Sequence, residues 1–236
     1  LALADAPDDQ SPVVDRFLEA QETQREKLRG VQMQVRMVGS IPNLAKTGSM
    51  EALRAISKLG KVTYDALKFE GDGTVKNHVL VRYLTAEAEN YDSPNPKLAV
   101  SKENYKFKNK GLQMKDGQQV YVLELNPRRK EVGLFKGEVW LDPQTMLPVR
   151  ESGKFVKSPS VFIKNVEFVR NYEIRDGLAV PVSMKSFAET RIVGRTELNI
   201  DYLNFTRETE NQAWTGEGEC PQSPALHSRL SEDRVR

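Results

Sequence analysis

From Gln118 to Phe205 the chain alternates apolar and polar positions in short runs separated by turn residues. The runs are Val120 to Leu125, Val132 to Leu141, Val149 to Val156, Val161 to Arg175, Leu178 to Glu189 and Arg191 to Phe205, and each carries the two-residue period of a strand. Asn126-Pro127 and Asp142-Pro143 begin turns, while Asp176-Gly177 suits the two-residue type I′ turn of a hairpin. The pattern predicts a continuous antiparallel meander.

The half before it is mixed. Ser11-Pro12 offers an N-cap and a fixed φ, and Val14, Phe17, Leu18 and Leu28 then recur on one side of a helix that Gly30 stops. Val31, Met33, Val35 and Met37 alternate with polar residues as a half-buried strand; Met50 to Leu59 fits a helical face through Ala52, Ala55, Ile56 and Leu59 or a strand, and reads as a strand because Gly60-Lys61 turns directly into a further one, Val62 to Phe69. After Gly71-Asp72-Gly73, Thr74 can cap a second helix with Val75, Val79 and Tyr83 at i+4 spacing, joined by Leu80 and Leu84, running to about Glu89. Tyr105 and Phe107 open the meander, with Asp116-Gly117 as a hairpin turn. The fold class is mainly β with two helices (α+β). Residues 11–206 form one domain, residues 1–10 are a mobile start, and 207–236, where the apolar pattern stops, reads as a polar, disordered tail.

Several strands are apolar on both faces. Val132, Leu134 and Trp140 oppose Phe135, Val139 and Leu141, and Phe162, Val166 and Phe168 oppose Val161, Ile163 and Val169. A sheet with one wet face needs a single apolar row. Either helices cover the second face or the sheet curls around an interior that a hydrophobic ligand can fill. Alternation puts Phe162, Val166 and Phe168 in one row, Leu178, Val180, Val182 and Met184 in the next, and Leu198, Ile200 and Tyr202 in a third. If these rows coincide they line the concavity; the other reading packs them on the first helix through Phe17 and Leu18.

Composition narrows the function classes. In 236 residues with 39% hydrophobic content there is material for a sizeable core. The 35 Lys+Arg and 33 Asp+Glu, giving a net charge of +2, are scattered rather than blocked, so nucleic acid is not implied. No apolar run approaches the roughly 18 residues of a membrane span. Ala2-Leu3-Ala4 before Asp5 has the small-x-small form of a signal-peptidase site, which points to a secreted or periplasmic chain, and no cysteine follows it to carry a lipid.

Candidate chemistry is sparse. Cys220 is the single cysteine, so no intrachain disulfide can form. The two histidines, His78 and His227, stand beside no nucleophile signature, and together with one cysteine they make no local metal-ligand set. No cofactor fingerprint is present: Gly71-x-Gly73 lacks the third glycine of a dinucleotide loop. Carboxylates on separate strands leave a carboxylate-pair hydrolase as the remaining enzymatic reading.

The segment Gly137-Glu-Val-Trp-Leu-Asp-Pro-Gln-Thr-Met-Leu-Pro-Val-Arg150 is similar to the strand, Asp-x-x-Thr turn and return strand of the periplasmic lipoprotein-carrier (LolA/LolB-like) superfamily, in particular its outer-membrane lipoprotein-sorting-like members. Asp176-Gly177-Leu178-Ala179-Val180-Pro181 and Gly194-Arg195 to Tyr202 resemble its later hairpins, and the resemblance spans roughly Val13 to Phe205. It implies an antiparallel, unclosed β-barrel wrapped over helices, with an apolar cavity for acyl chains or an acylated protein, and no enzyme. The arginine of true lipoprotein carriers has only Arg36 as a counterpart, by location alone. Two functions follow: a carrier or sensor of a lipid or other hydrophobic ligand, or an envelope interaction module that receives a protein segment at an open sheet edge or on the concave face.

Overall fold

The ten strands of the described residues form one antiparallel sheet, in the order β3-β2-β1-β10-β9-β8-β7-β6-β5-β4. They are β1 Val31–Ile41, β2 Lys46–Ile56, β3 Val62–Gly71, β4 Tyr105–Lys115, β5 Gln118–Pro127, β6 Phe135–Leu141, β7 Pro148–Phe155, β8 Ile163–Arg175, β9 Leu178–Thr190 and β10 Gly194–Arg207. The structure is a computed structural model that describes residues 11–92, 95–158 and 163–207. Edges β3 and β4 do not pair, so the barrel is unclosed. The expected disordered tail, the start of the chain, Phe162, Cys220 and His227 lie outside the described residues.

The meander from β4 to β10 pairs each strand with the next, and β1 then joins β10, from Val31 opposite Arg207 to Ser40 opposite Glu197. The largest shifts in strand starts from the sequence pattern are three. β2 begins at Lys46. β6 begins at Phe135, because Gly133 at φ 97° turns the chain and Leu134 N–H bonds the Glu131 carbonyl. β10 begins at Gly194, because the Thr190 hydroxyl donates to the Gly194 carbonyl and accepts from Val193 N–H, closing a turn over 191–193.

Helix α1, Pro12–Lys27, has Pro in its first turn, where no N–H is needed, and Arg25 and Lys27 at its negative end. Ser11 is its N-cap by backbone, but its hydroxyl accepts from Asn109 Nδ2 at 3.0 Å rather than capping the helix. The second helix, α2, covers residues 73–92 as Gly73–Val75, a π-helical turn Lys76–Leu80 and Val81–Asp92. Its cap is Asp72, not Thr74: the Asp72 carboxylate accepts Thr74 N–H at 2.7 Å.

Each helix seals one half of the concave face. Val14 and Phe17 of α1 are fully buried with Tyr105, Leu123, Leu125, Val139 and Leu141 of the β4–β6 half. Val75, Val79, Leu80 and Leu84 of α2 pack with Met37, Met50, Met184 and Ile200 of the β1, β2, β9, β10 half. The second contact is close because Gly39, which faces Leu198 and Gly48 across its neighbours, carries no side chain: a Cβ there would lie 2.8 Å from Val75 Cγ1.

Candidate functional site: a cleft between the second helix and the concave sheet

A cavity of about 470 Å³ opens between α2 and the sheet, near the junction of the two cores. One wall is the α2 stripe His78, Val79, Arg82, Tyr83, Ala86 and Glu89, whose three- and four-residue spacings put it on one helical face. The opposite wall is Val166 of β8, Ser186, Ala188 and Thr190 of β9, Thr196 and Leu198 of β10, and the turn residues Ile192 and Val193. Leu98, Val132, Gly133 and Phe155 close the end towards the α1 half, with Lys157 and Ile163 beside them.

The sheet wall is less polar than its hydroxyls suggest. Ser186 Oγ donates to the Glu167 carbonyl at 3.1 Å, Thr196 Oγ1 to that of Ala188 at 3.2 Å, and Thr190 Oγ1 to that of Gly194 at 2.9 Å. Each hydroxyl has one proton to give and gives it to the backbone. Of the remaining polar side chains of the lining, Tyr83 turns its hydroxyl to that of Tyr202, and His78, Arg82, Glu89 and Lys157 are exposed at the mouth.

Between helix and sheet runs a polar belt. Arg54 projects from the concave face of β2, and its side chain, 4% exposed, meets the Glu87 carboxylate of α2, 15% exposed, at 2.8 Å. Tyr64 on β3 donates its hydroxyl to the other Glu87 oxygen. Burial pushes the Glu87 carboxyl up, but the Arg54 charge and the Tyr64 hydrogen bond outweigh it, and the group ends below the ordinary carboxylate range. Burial, then the Glu87 charge, raises the Tyr64 phenol far above its usual value, so it stays a donor. Tyr83 and Tyr202 face each other at 3.4 Å between their hydroxyls. On β8, Arg170 reaches both Glu151 and the Tyr172 hydroxyl.

The residues expected to line a ligand site divide into groups. Val166 and Leu198 line the cavity. Met184 and Ile200 sit opposite each other in register and are buried in the core beneath α2. Phe168 stacks edge-on with Phe135 at 5.1 Å, next to the cavity residue Phe155 at 5.7 Å, and Tyr202 stands behind Tyr83. Leu178, Val180 and Val182 do not continue the Met184 row. Register passes from Asn171 opposite Ser183 to Tyr172 opposite Pro181, which leaves Val182 as an extra residue and reverses the face of those before it. Beyond this bulge the Gln24 side chain of α1 bonds both the N–H and the carbonyl of Ala179. The alternation-based rows missed the α2 wall and the 191–193 turn, although the Val75, Val79, Tyr83 spacing already marked that helix face.

Among the described residues, no group of three or more His, Cys, Asp and Glu could hold a metal ion, and no helix is long and apolar enough to cross a membrane. Glu87 and Glu151 each face an arginine rather than a second carboxylate.

No family model matches the chain, and no curated protein matches it. Solved structures do. A LolA superfamily protein from Nitrosomonas europaea is 13% identical, with 83% of this chain and 93% of that chain covered and a TM-score of 0.40. A putative outer membrane lipoprotein-sorting protein domain from Vibrio parahaemolyticus is 15% identical over 84% and 95% at 0.44. A DUF1329 family protein from Desulfovibrio piger is 19% identical over 85% and 95% at 0.46. At these identities and TM-scores the likeness lends no residue role to this chain.

Proposed function

We propose that this protein is a non-enzymatic carrier or sensor of the periplasm or extracellular space, holding a lipid, an acyl chain of a modified protein or a similar hydrophobic ligand in the cleft under α2. The observation that carries this reading is the cleft itself. Its volume of about 470 Å³ falls within the range of small-molecule sites, and its deep lining is aliphatic and aromatic. Burial alone suffices to hold an alkyl chain there, because each CH₂ taken from water contributes about 0.8 kcal/mol.

Docking of a protein segment along an open edge has less support. Edge β3 is interrupted at Ala66, φ 52°, and edge β4 at Gly111, φ 75°, each beside a register shift, and β4 presents Lys106, Lys108 and Lys110. Bulges and lysines are the devices that keep edges from pairing. A protein partner therefore fits this reading best when it delivers an acyl chain to the cleft.

The test is displacement of a fluorescent hydrophobic probe, with native mass spectrometry of the purified protein for a retained ligand. Ala86→Trp, on the exposed side of α2 at the cavity wall, is expected to reduce probe affinity at least tenfold while the thermal melt is preserved. Lys185→Asp, on the convex face, is expected to change neither. A protein that carries no ligand and ignores the probe would refute the proposal.

A further inference from the structure

The mouth of the cleft is charged in a way that selects among hydrophobic ligands. The sheet-wall hydroxyls have spent their protons on backbone carbonyls, so a polar headgroup drawn inside would lose its water without finding a donor there. It must stay at the mouth. There Arg82, on the exposed face of α2, has no carboxylate partner among the described residues, and Lys157 follows β7 on another wall. Glu131, beside the lining residues Val132 and Gly133, is itself held by Arg129 at 2.6 Å. Glu89 is the acid of the mouth, seven residues along α2 from Arg82, and His78 lies one turn to the other side. Two cations against one anion leave the mouth net positive, with its positive end at the N-terminal half of the α2 stripe.

We propose that the occupant is a long-chain amphiphile with an anionic headgroup, carboxylate or phosphate, its tail in the cleft and its headgroup held by Arg82 and Lys157. This rests on the reading of the cleft as a hydrophobic-ligand site. A guanidinium offers paired N–H donors that match either headgroup, and charge-assisted bonds of this kind are the strong ones.

The experiment compares three ligands of equal chain length on the delipidated full chain, by displacement of the same fluorescent probe: hexadecanoate, hexadecyl phosphate and monopalmitoylglycerol. Hexadecanoate and hexadecyl phosphate are expected to bind about tenfold tighter than the neutral ester, the scale of one charge-assisted bond at an exposed mouth. The ratio should shrink as salt is raised. In Arg82→Glu/Lys157→Glu the ratio should fall to about one or invert, Arg82→Lys should retain most of it, and Lys185→Glu should leave it as in the parent. Preference for only one of the two anions identifies which headgroup the mouth accepts and supports the inference. Equal affinity for all three ligands overturns the headgroup inference and leaves the hydrophobic-ligand reading standing; no binding by any of them overturns both.

Discussion

The two helices rest on the same concave face but are held by different physics. α1 sits on the β4–β6 half through Val14 and Phe17, both fully buried, and its Gln24 side chain substitutes for a neighbouring strand at Ala179. α2 sits on the other half through Val75, Val79, Leu80 and Leu84, and adds a buried ion pair, Arg54 with Glu87, completed by Tyr64. The cleft lies on the α2 side. An apolar contact holds position with little demand on angle, whereas a buried charge pair must be met with good geometry or it destabilises. The half of the molecule that keeps an open cavity is thus the half whose helix is fixed by a buried ion pair.

Substitutions can separate these two modes of attachment. The largest effect is expected from Arg54→Met, which leaves the Glu87 carboxylate buried without its cation and should cost about 3–5 kcal/mol at pH 7. The double variant Arg54→Met/Glu87→Leu should recover most of that loss in denaturant melts; failure to recover would mean that the pair itself, rather than the orphaned charge, stabilises the α2 half.

The pH dependence of the same pair has a definite sign. In the parent, Glu87 titrates below its ordinary value when folded, so its contribution is complete above the unfolded carboxylate pKa and disappears as pH falls through the lowered one. In Arg54→Met burial dominates, the folded pKa rises, and the destabilisation grows as pH rises from the unfolded value through the folded one. The variant should therefore lie closer to the parent at pH 4 than at pH 7, and a constant gap between the two melting curves would contradict the assignment.

A smaller effect is expected on the α1 side. Gln24→Ala unbonds the N–H and carbonyl of Ala179, at a cost of about 1–3 kcal/mol, and amide exchange at Ala179 should accelerate selectively. Because neither the Gln24 amide nor the Ala179 backbone titrates, this loss should be nearly flat between pH 4 and 7.

Much of this arrangement is legible in residue order. Two-residue alternation locates the strands and puts Met184 and Ile200 inside, and the spacing of Val75, Val79 and Tyr83 marks the α2 face that meets them. Alternation also placed Leu178 and Val180 in the Met184 row, because an inserted residue such as Val182 leaves no trace in an apolar run. The ion pair joins residues 33 positions apart, beyond any local pattern. One signal for it was present: Arg54 occupies an inward position in the row Met50, Ala52, Arg54, Ile56, and a cation there requires a buried partner. The cleft is a property of how two walls fail to touch, and no one-dimensional pattern records a gap.

The pairing of β1 with β10 governs how the chain reaches this state. Asn204 bonds Gln34 across 170 residues, and the β1–β3 unit has no other strand in the sheet to join. Assembly therefore cannot finish until β10, the last strand of the described residues, exists, and closing so long a loop before its contacts form makes folding slow. During that interval β1 has an unpaired edge where β10 will lie, with only α2 over its inner face, and is prone to association. A chain that ends before Thr196 would leave the N-terminal strands as a detached three-stranded ribbon, and pulse-labelled amide exchange should find β1 protected only after the meander.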